Sequence, residues 1–227
     1  MRILWRDRFL FKRYKITSFL GWKLSVTLRE MTGIAPVYGL ESINKKVIFI
    51  HIPKAAGSSV GELIYGTDNV GHYPFFIYKS VDEKRYEEYY KFTVVRNPYD
   101  RFISAYDFVL KGGKGPADER CGKYIRSRSD NIEDFVLNYL DEGFIYSWAH
   151  FVPQTYFICD GDRLVVDDIF HVENLSNDIE VLRKRLNISK ELMVVNKGTC
   201  NDKVLYSDDF YLKLRKLYAA DFELLGY

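Results

Sequence analysis

The chain has 227 residues, 47% hydrophobic and 28% charged, which is ordinary for a soluble globular protein and enough to bury a substantial core. A formal net charge of +2 is too small to draw nucleic acid or a membrane by bulk electrostatics, so no nucleic-acid partner is expected. No run approaches the ~20 apolar residues of a membrane span, and the first residues lack the uninterrupted apolar stretch of a secretory signal.

In chain order, residues 1–44 form a basic, aromatic arm. Its first 29 residues carry Arg2, Arg6, Arg8, Lys12, Arg13, Lys15, Lys23 and Arg29 against Asp7 alone, interleaved with Trp5, Phe9, Phe11, Tyr14 and Trp22. Such a segment either lies on an anionic membrane surface as a peripheral contact or packs on the following domain. That domain spans 45–227 and alternates strand and helix. Val47–Ile52 reads as a strand, Ser59–Tyr65 as a helix, Asn69–Tyr73 as a short strand and Asp82–Tyr90 as a charged helix. Phe92–Val95 follows as a strand and Tyr99–Leu110 as a helix. Residues 111–130 are glycine-rich and poorly periodic, a long loop and candidate acceptor-binding flap. Asn131–Leu140 reads as a helix, Leu164–Val172 as a strand and Asp178–Leu186 as a helix. Tyr206–Leu225 closes the chain as one helix, with Ser207 or Asp208 as N-cap. The alternation predicts an α/β fold, a three-layer P-loop-like arrangement with a central parallel sheet between helices and the ligand site at the strands' carboxyl ends.

Two strand-to-helix corners carry the chemistry. After the first strand come Pro53, Lys54, Ala55, Ala56, Gly57, Ser58 and Ser59. A small-residue loop entering a helix directs backbone N–H groups and a positive helix end at an anion. A lysine at the mouth and two hydroxyls at the helix start make phosphate the expected anion. A Walker loop would place the lysine after its second glycine; here it comes first. At the second corner Arg96 ends a strand and Pro98 opens a helix bearing Ser104. Arginine offers a planar fork of donors suited to phosphate oxygens, and proline is at ease in a first helical turn. One lysine-led and one arginine-led corner imply a ligand with two separate phosphates.

The pair PKAAGSS and RNPYDRFISAY resembles the 5′- and 3′-phosphate-binding motifs of sulfotransferases, and is most similar to those of the carbohydrate branch of heparan/chondroitin 2-O type and its bacterial relatives. Gly71-His72-Tyr73, Pro153-Gln154-Thr155-Tyr156-Phe157, Asp168 to Asn174 and the closing Tyr218 to Tyr227 fit the same branch. The resemblance covers roughly residues 45–227 and implies 3′-phosphoadenosine 5′-phosphosulfate as sulfuryl donor, with a carbohydrate or glycolipid hydroxyl as acceptor. It implies that Lys54 contacts the bridging oxygen and 5′-phosphate, that Ala55 to Ser59 line that phosphate, and that Arg96 and Ser104 hold the 3′-phosphate. Lys197-Gly198 is similar to a basic-glycine element that closes over the 3′-phosphate in some members. A general base for an acceptor hydroxyl suits histidine. His72 falls where related enzymes place theirs. His51, on the first strand, reads as a buried structural histidine, His171 as framework, and His150 as a candidate for the acceptor site. Arg101 reads as structural, paired with Asp100, Asp107 or another carboxylate. No metal constellation is visible, and none is needed if Lys54, Arg96 and backbone N–H groups neutralise the donor.

Cys121, Cys159 and Cys200 show neither metal-ligand spacing nor disulfide density. Reduced thiols fit a cytoplasmic enzyme best, peripheral to the inner membrane face if the arm binds lipid. The aromatic fraction of 16%, with 18 Tyr and 16 Phe, supplies either an aromatic-rich core or stacking surfaces for a purine or sugar. Two other functions compete: a P-loop-like small-molecule kinase, weakened by the missing Gly-Lys-Ser/Thr order, and a nucleotide-binding protein without turnover.

Overall fold

The computed structural model describes residues 36–68, 70–189 and 205–227; the basic arm up to residue 35, Lys197 and Cys200 lie outside them. The order begins α1 (Leu40–Lys45), β1 (Val47–Ile50), α2 (Gly57–Tyr65), α3 (Phe75–Val81), α4 (Glu83–Glu88) and β2 (Tyr90–Val95). It continues with α5 (Pro98–Leu110), α6 (Pro116–Arg126), α7 (Ile132–Asn138), α8 (Glu142–Ile145) and α9 (Thr155–Ile158). Then come β3 (Cys159–Asp160), β4 (Arg163–Leu164), β5 (Asp168–His171), a 3₁₀ turn (Val172–Asn174), α10 (Leu175–Leu186), α11 (Asp208–Leu217) and α12 (Ala219–Leu225). These elements form two compact units. A sheet unit runs to Arg96 and resumes at Gln154; a helical unit holds Asn97–Pro153 and the C-terminal helices.

In the sheet unit, β1, β2 and β5 make a parallel sheet in the order β1-β2-β5, with Val47 opposite Tyr90 and Phe92 opposite Asp168. The fold is mixed α/β with helices flanking a parallel sheet, as the alternation predicts. The apolar run of β1 is buried on both faces, the expected state of a parallel strand covered on each side. Val47, Phe49, Phe92 and Val94 pack with Val60, Leu63 and Ile64 of α2 and with Ile179 and Leu182 of α10. Along the edge of β1 away from β2, hydroxyls replace a neighbouring strand. Ser42 donates to the Val47 carbonyl (2.5 Å), Tyr78 donates to that of Phe49 (3.4 Å), and the Phe49 N–H donates to the Tyr65 hydroxyl (3.0 Å). Burial pushes the Tyr65 phenol up to about 12, so it stays protonated near neutral pH.

Several boundaries depart from expectation for local reasons. Val70 to Pro74 is irregular, not a strand: the Val70 carbonyl is taken by the His51 side chain (2.9 Å), and Pro74 caps α3. α3 itself, an aromatic run without clear helical periodicity, was not expected. Asp82 is the N-cap of α4, accepting from the Arg85 N–H at 2.9 Å, and Tyr90 belongs to β2. Only Asp168–His171 of the segment 164–172 joins the sheet, because Arg163 and Leu164 turn back on β3. The last helix is broken at Tyr218, whose φ of −109° and ψ of 25° are not helical; its N-cap is Ser207, accepting from the Phe210 N–H at 3.3 Å.

In the helical unit the expected flap contains α6. Pro116 sits at its start, Asp118 and Glu119 lie in the first turn and Lys123 and Arg126 in the last, all matched to the helix dipole. Its apolar stripe is narrow (Cys121, Gly122 and Ile125 are buried), which is why periodicity does not reveal it. Arg101 is wholly buried, but its partners are carbonyls rather than carboxylates. Its guanidinium donates to His150 O (3.2 Å) and Val152 O (2.8 Å) and lies 5.6 Å from the Tyr218 ring, while the Tyr218 hydroxyl donates to Phe151 O (2.7 Å). Successive acceptors of an irregular buried segment are thereby satisfied by two buried side chains.

α6 rests on α5 through Gly122, where an added Cβ would strike the Val109 carbonyl. An exposed helical Gly→Ala change would stabilise by about 1 kcal/mol. Gly122→Ala is expected instead to destabilise by roughly 1–3 kcal/mol through overpacking, read as a lower urea midpoint; an unchanged or higher midpoint would return the segment to the role of a loose flap.

Candidate functional site

The loop between β1 and α2 has a backbone suited to close approach by an anion. Lys54 has φ 67° and Ala56 φ 56°, while Ala55 between them is not in the positive region. Alternation into the left-handed region turns successive N–H groups to one side, the concavity that binds anions in phosphate loops. Two non-glycine residues held there cost roughly 1–3 kcal/mol each, strain that a purely structural turn would shed by using glycine. Ala56 is the N-cap of α2 and makes no side-chain cap, and no acidic residue lies in the first turn. The cap therefore supplies no acceptor for the Gly57 and Ser58 N–H groups, and the positive helix end faces no carboxylate of its own first turn. Lys54, Ala56, Ser58 and Ser59 are partly exposed; Ala55 and Gly57 are buried.

His51 locks this loop from below. Its ring lies where any side chain at 57 would go: a Cβ on Gly57 would fall within the imidazole. The same ring stacks on Phe49 at 5.5 Å and its Nδ1 bonds the Val70 carbonyl (2.9 Å). His51 is thus the buried structural histidine expected.

The His51 carbonyl fixes His72. His72 Nδ1 lies 3.2 Å from that oxygen, and since a carbonyl only accepts, neutral His72 carries its proton on Nδ1 and its lone pair on Nε2. The rings of His51 and His72 pack 4.1 Å apart. Position 72 is therefore drawn to the carboxyl end of β1, just before Lys54, without any strand to carry it there.

Arg96 stands one residue past β2, the strand beside β1. Its backbone is held twice by the Gln154 carboxamide: Arg96 N–H donates to Oε1 (3.0 Å) and Nε2 donates to Arg96 O (2.8 Å). The Lys54 loop, His72 and Arg96 are thus all at the carboxyl ends of adjacent parallel strands in one unit. Ser104 belongs to α5 of the helical unit, partly exposed, and Lys197 lies outside the described residues.

The profile of the sulfotransferase family matches residues 42–227. The chain belongs to the sulfotransferase family. No curated protein and no solved structure matches it.

Two further histidines and two cysteines of this sulfotransferase lie among the described residues. His150 Nε2 meets Asp118 Oδ1 at 3.1 Å and its ring packs on Phe108 at 4.8 Å, inside the helical unit. The pairing was not foreseen, since nothing in the spacing of 118 and 150 announces it. His171 ends β5, and its N–H donates to Asp178 Oδ2 (3.2 Å) at the head of α10. Cys121 is buried and Cys159 half-buried, and burial pushes the Cys121 thiol well above the usual range, which makes it inert near neutral pH. Among the described residues no group of His, Cys, Asp or Glu could hold a metal, and no helix is long and apolar enough to cross a membrane. Gln154 is the site residue that residue-by-residue reasoning missed. Its only signal was its place in the PQTYF segment.

Two outcomes follow from this geometry. Gly57→Ala must displace either the loop or His51, and is expected to cost at least ~2 kcal/mol by overpacking in urea denaturation; a neutral effect would mean the His51 ring does not sit beneath the loop. In ¹⁵N-resolved NMR, neutral His72 is expected to show a protonated Nδ1 and a bare Nε2, and the opposite tautomer would contradict its bond to the His51 carbonyl.

Proposed function

We propose that the protein transfers a sulfuryl group from 3′-phosphoadenosine 5′-phosphosulfate to a hydroxyl of a carbohydrate or glycolipid. The observation that carries this reading is the Lys54–Gly57 loop, left-handed at Lys54 and Ala56 and opening into a helix with no acid in its first turn, with Arg96 at the end of the next strand. Two cationic strand ends suit a nucleotide bearing separate 5′ and 3′ phosphates, with Ser104 contributing to the 3′-phosphate as the family resemblance implies. The carbohydrate acceptor rests on resemblance, a cytoplasmic setting on the cysteine pattern, and lipid contact through residues 1–29 on the basic, aromatic arm.

In the reaction, the acceptor oxygen attacks sulfur in line. The new S–O bond forms as the bond from sulfur to the bridging oxygen breaks, and that electron pair stays on the 5′-phosphate of adenosine 3′,5′-bisphosphate. Lys54 and the N–H groups of the loop offset the charge gathering on the leaving phosphate. His72 Nε2 takes the hydroxyl proton, and its Nδ1–H bond to a carbonyl orients the ring and favours the imidazolium that forms. Removing a preorganised cation of this kind costs on the order of 10²–10³-fold in turnover, and a general base about 10²–10⁴-fold.

Calorimetric titration with adenosine 3′,5′-bisphosphate, with ADP and ATP as controls, tests the donor. Micromolar binding of the bisphosphate is expected, weakened at least about tenfold (some 1.4 kcal/mol) in Arg96→Ala. His72→Ala should keep that binding and lose sulfation of glycan acceptors. A preference for ATP would promote the kinase reading and end this one; binding without any turnover across acceptors would leave a nucleotide-binding protein.

A further inference from the structure

The backbone of Arg96 is in an unusual position. Tyr90 N–H bonds the Lys46 carbonyl (3.0 Å), so by the alternation of a parallel ladder Tyr90, Phe92, Val94 and Arg96 direct their backbone groups toward β1. β1 ends at Ile50 and the chain turns away at Pro53 into the phosphate loop. Arg96 therefore faces the place where the neighbouring strand has just departed. The Gln154 carboxamide fills that place. It gives one acceptor to Arg96 N–H at 3.0 Å and one donor to Arg96 O at 2.8 Å, the pair an adjoining strand residue would have given.

Gln154 is wholly buried and its side chain makes no cap bond to α9, the helix it precedes, so the two bonds to Arg96 offset the cost of burying its amide. The chemistry admits few substitutes. Asparagine is one methylene too short, and glutamate would set a carboxylate oxygen against the Arg96 carbonyl.

We infer that Gln154 is a positioning residue for the nucleotide site: by clasping the Arg96 backbone where β1 leaves the sheet, it holds the guanidinium at the 3′-phosphate. This rests on the donor reading given above. The strand that ends to make room for the 5′-phosphate loop removes the ladder support of the residue that reads the 3′-phosphate, and Gln154 restores it. Fixing the backbone narrows the arc the long side chain can sweep, and placement errors near 1 Å are costly at such sites.

The test is discrimination, measured as the ratio of the dissociation constants of adenosine 5′-monophosphate and adenosine 3′,5′-bisphosphate. In Gln154→Met, nearly the same length without either polar atom, this ratio is expected to fall about tenfold with monophosphate affinity changed less than about twofold. Gln154→Glu, which changes no volume, should move the ratio in the same direction and serves if the methionine variant does not fold. In an Arg96→Ala background Gln154→Met should alter the ratio by less than about twofold, since coupled residues are not additive. A folded Gln154 variant with full discrimination overturns the inference, and so does an equal loss for both nucleotides, which would mean general loosening. A wild-type protein that ignores the 3′-phosphate overturns the donor reading itself, and this inference with it.

Discussion

The ring of His51 occupies the space that a side chain at position 57 would need, and much of the sheet unit is arranged around that exclusion. With only a hydrogen at Gly57, the loop can lie on the imidazole and enter α2 through two left-handed residues. Because the ring is also tied to the Val70 carbonyl and packed against His72, the irregular segment 70–73 is pulled to the same strand end. One buried imidazole thus joins the Lys54 loop to the segment that carries His72. Neither would be held there by secondary structure, since residues 53–56 and 70–74 lie outside any helix or strand.

What could be read from the sequence follows the range of the interactions involved. The β1 and β2 corners were legible because their signals are local: an apolar run, a proline, a small-residue loop and a cation fall within a few residues. α5 was legible for the same reason, through the proline that opens it, whereas its cap Asn97, whose side chain accepts the Tyr99 N–H at 3.0 Å, comes from the structure. The element at 69–73 was misread because its alternation looks like a strand, whereas its carbonyl is spent on a histidine distant in sequence. α6 was hidden by a glycine-rich entry and an apolar stripe too narrow to show a period. The clasp of Gln154 on Arg96, 58 residues apart, is signalled only by its place in the PQTYF segment, and the carbonyls taken by Arg101 have no sequence signature. Each depends on where backbone runs out of ladder partners, and that is a property of the folded chain.

The same dependence explains why polar side chains are buried so often here. A short parallel sheet has many strand ends and exposed edges, and every buried N–H or C=O left over needs a partner. Ser42, Tyr65 and Tyr78 serve the edge of β1, Gln154 the end of β2, and Arg101 with Tyr218 the turn at 150–152. Apart from the short Ser42, each of these side chains carries its polar atom at the end of an apolar or planar body, so it fills the core while reaching across it.

The abundance of tyrosine takes its meaning from that need. Tyr38 donates to the carbonyls of Tyr78 and Asp82 (3.1 and 3.3 Å), Tyr86 to that of Val165 (3.1 Å) and Tyr90 to the Asp168 carboxylate (2.7 Å). Burial raises Tyr38, Tyr86, Tyr90 and Tyr218 well above the ordinary phenol range, which keeps each hydroxyl a donor under any physiological condition. These rings are committed to framework, with edges packed on one another as Tyr38 packs on Tyr78 and Tyr89. A high aromatic content is therefore no argument, for this chain, that a sugar or purine stacks on it. His72 and Tyr73 remain partly exposed, and Tyr73 folds back over Gly71 so closely that a side chain at 71 would collide with its ring. The glycine there, like the one at 57, is the condition for a ring to lie close against backbone.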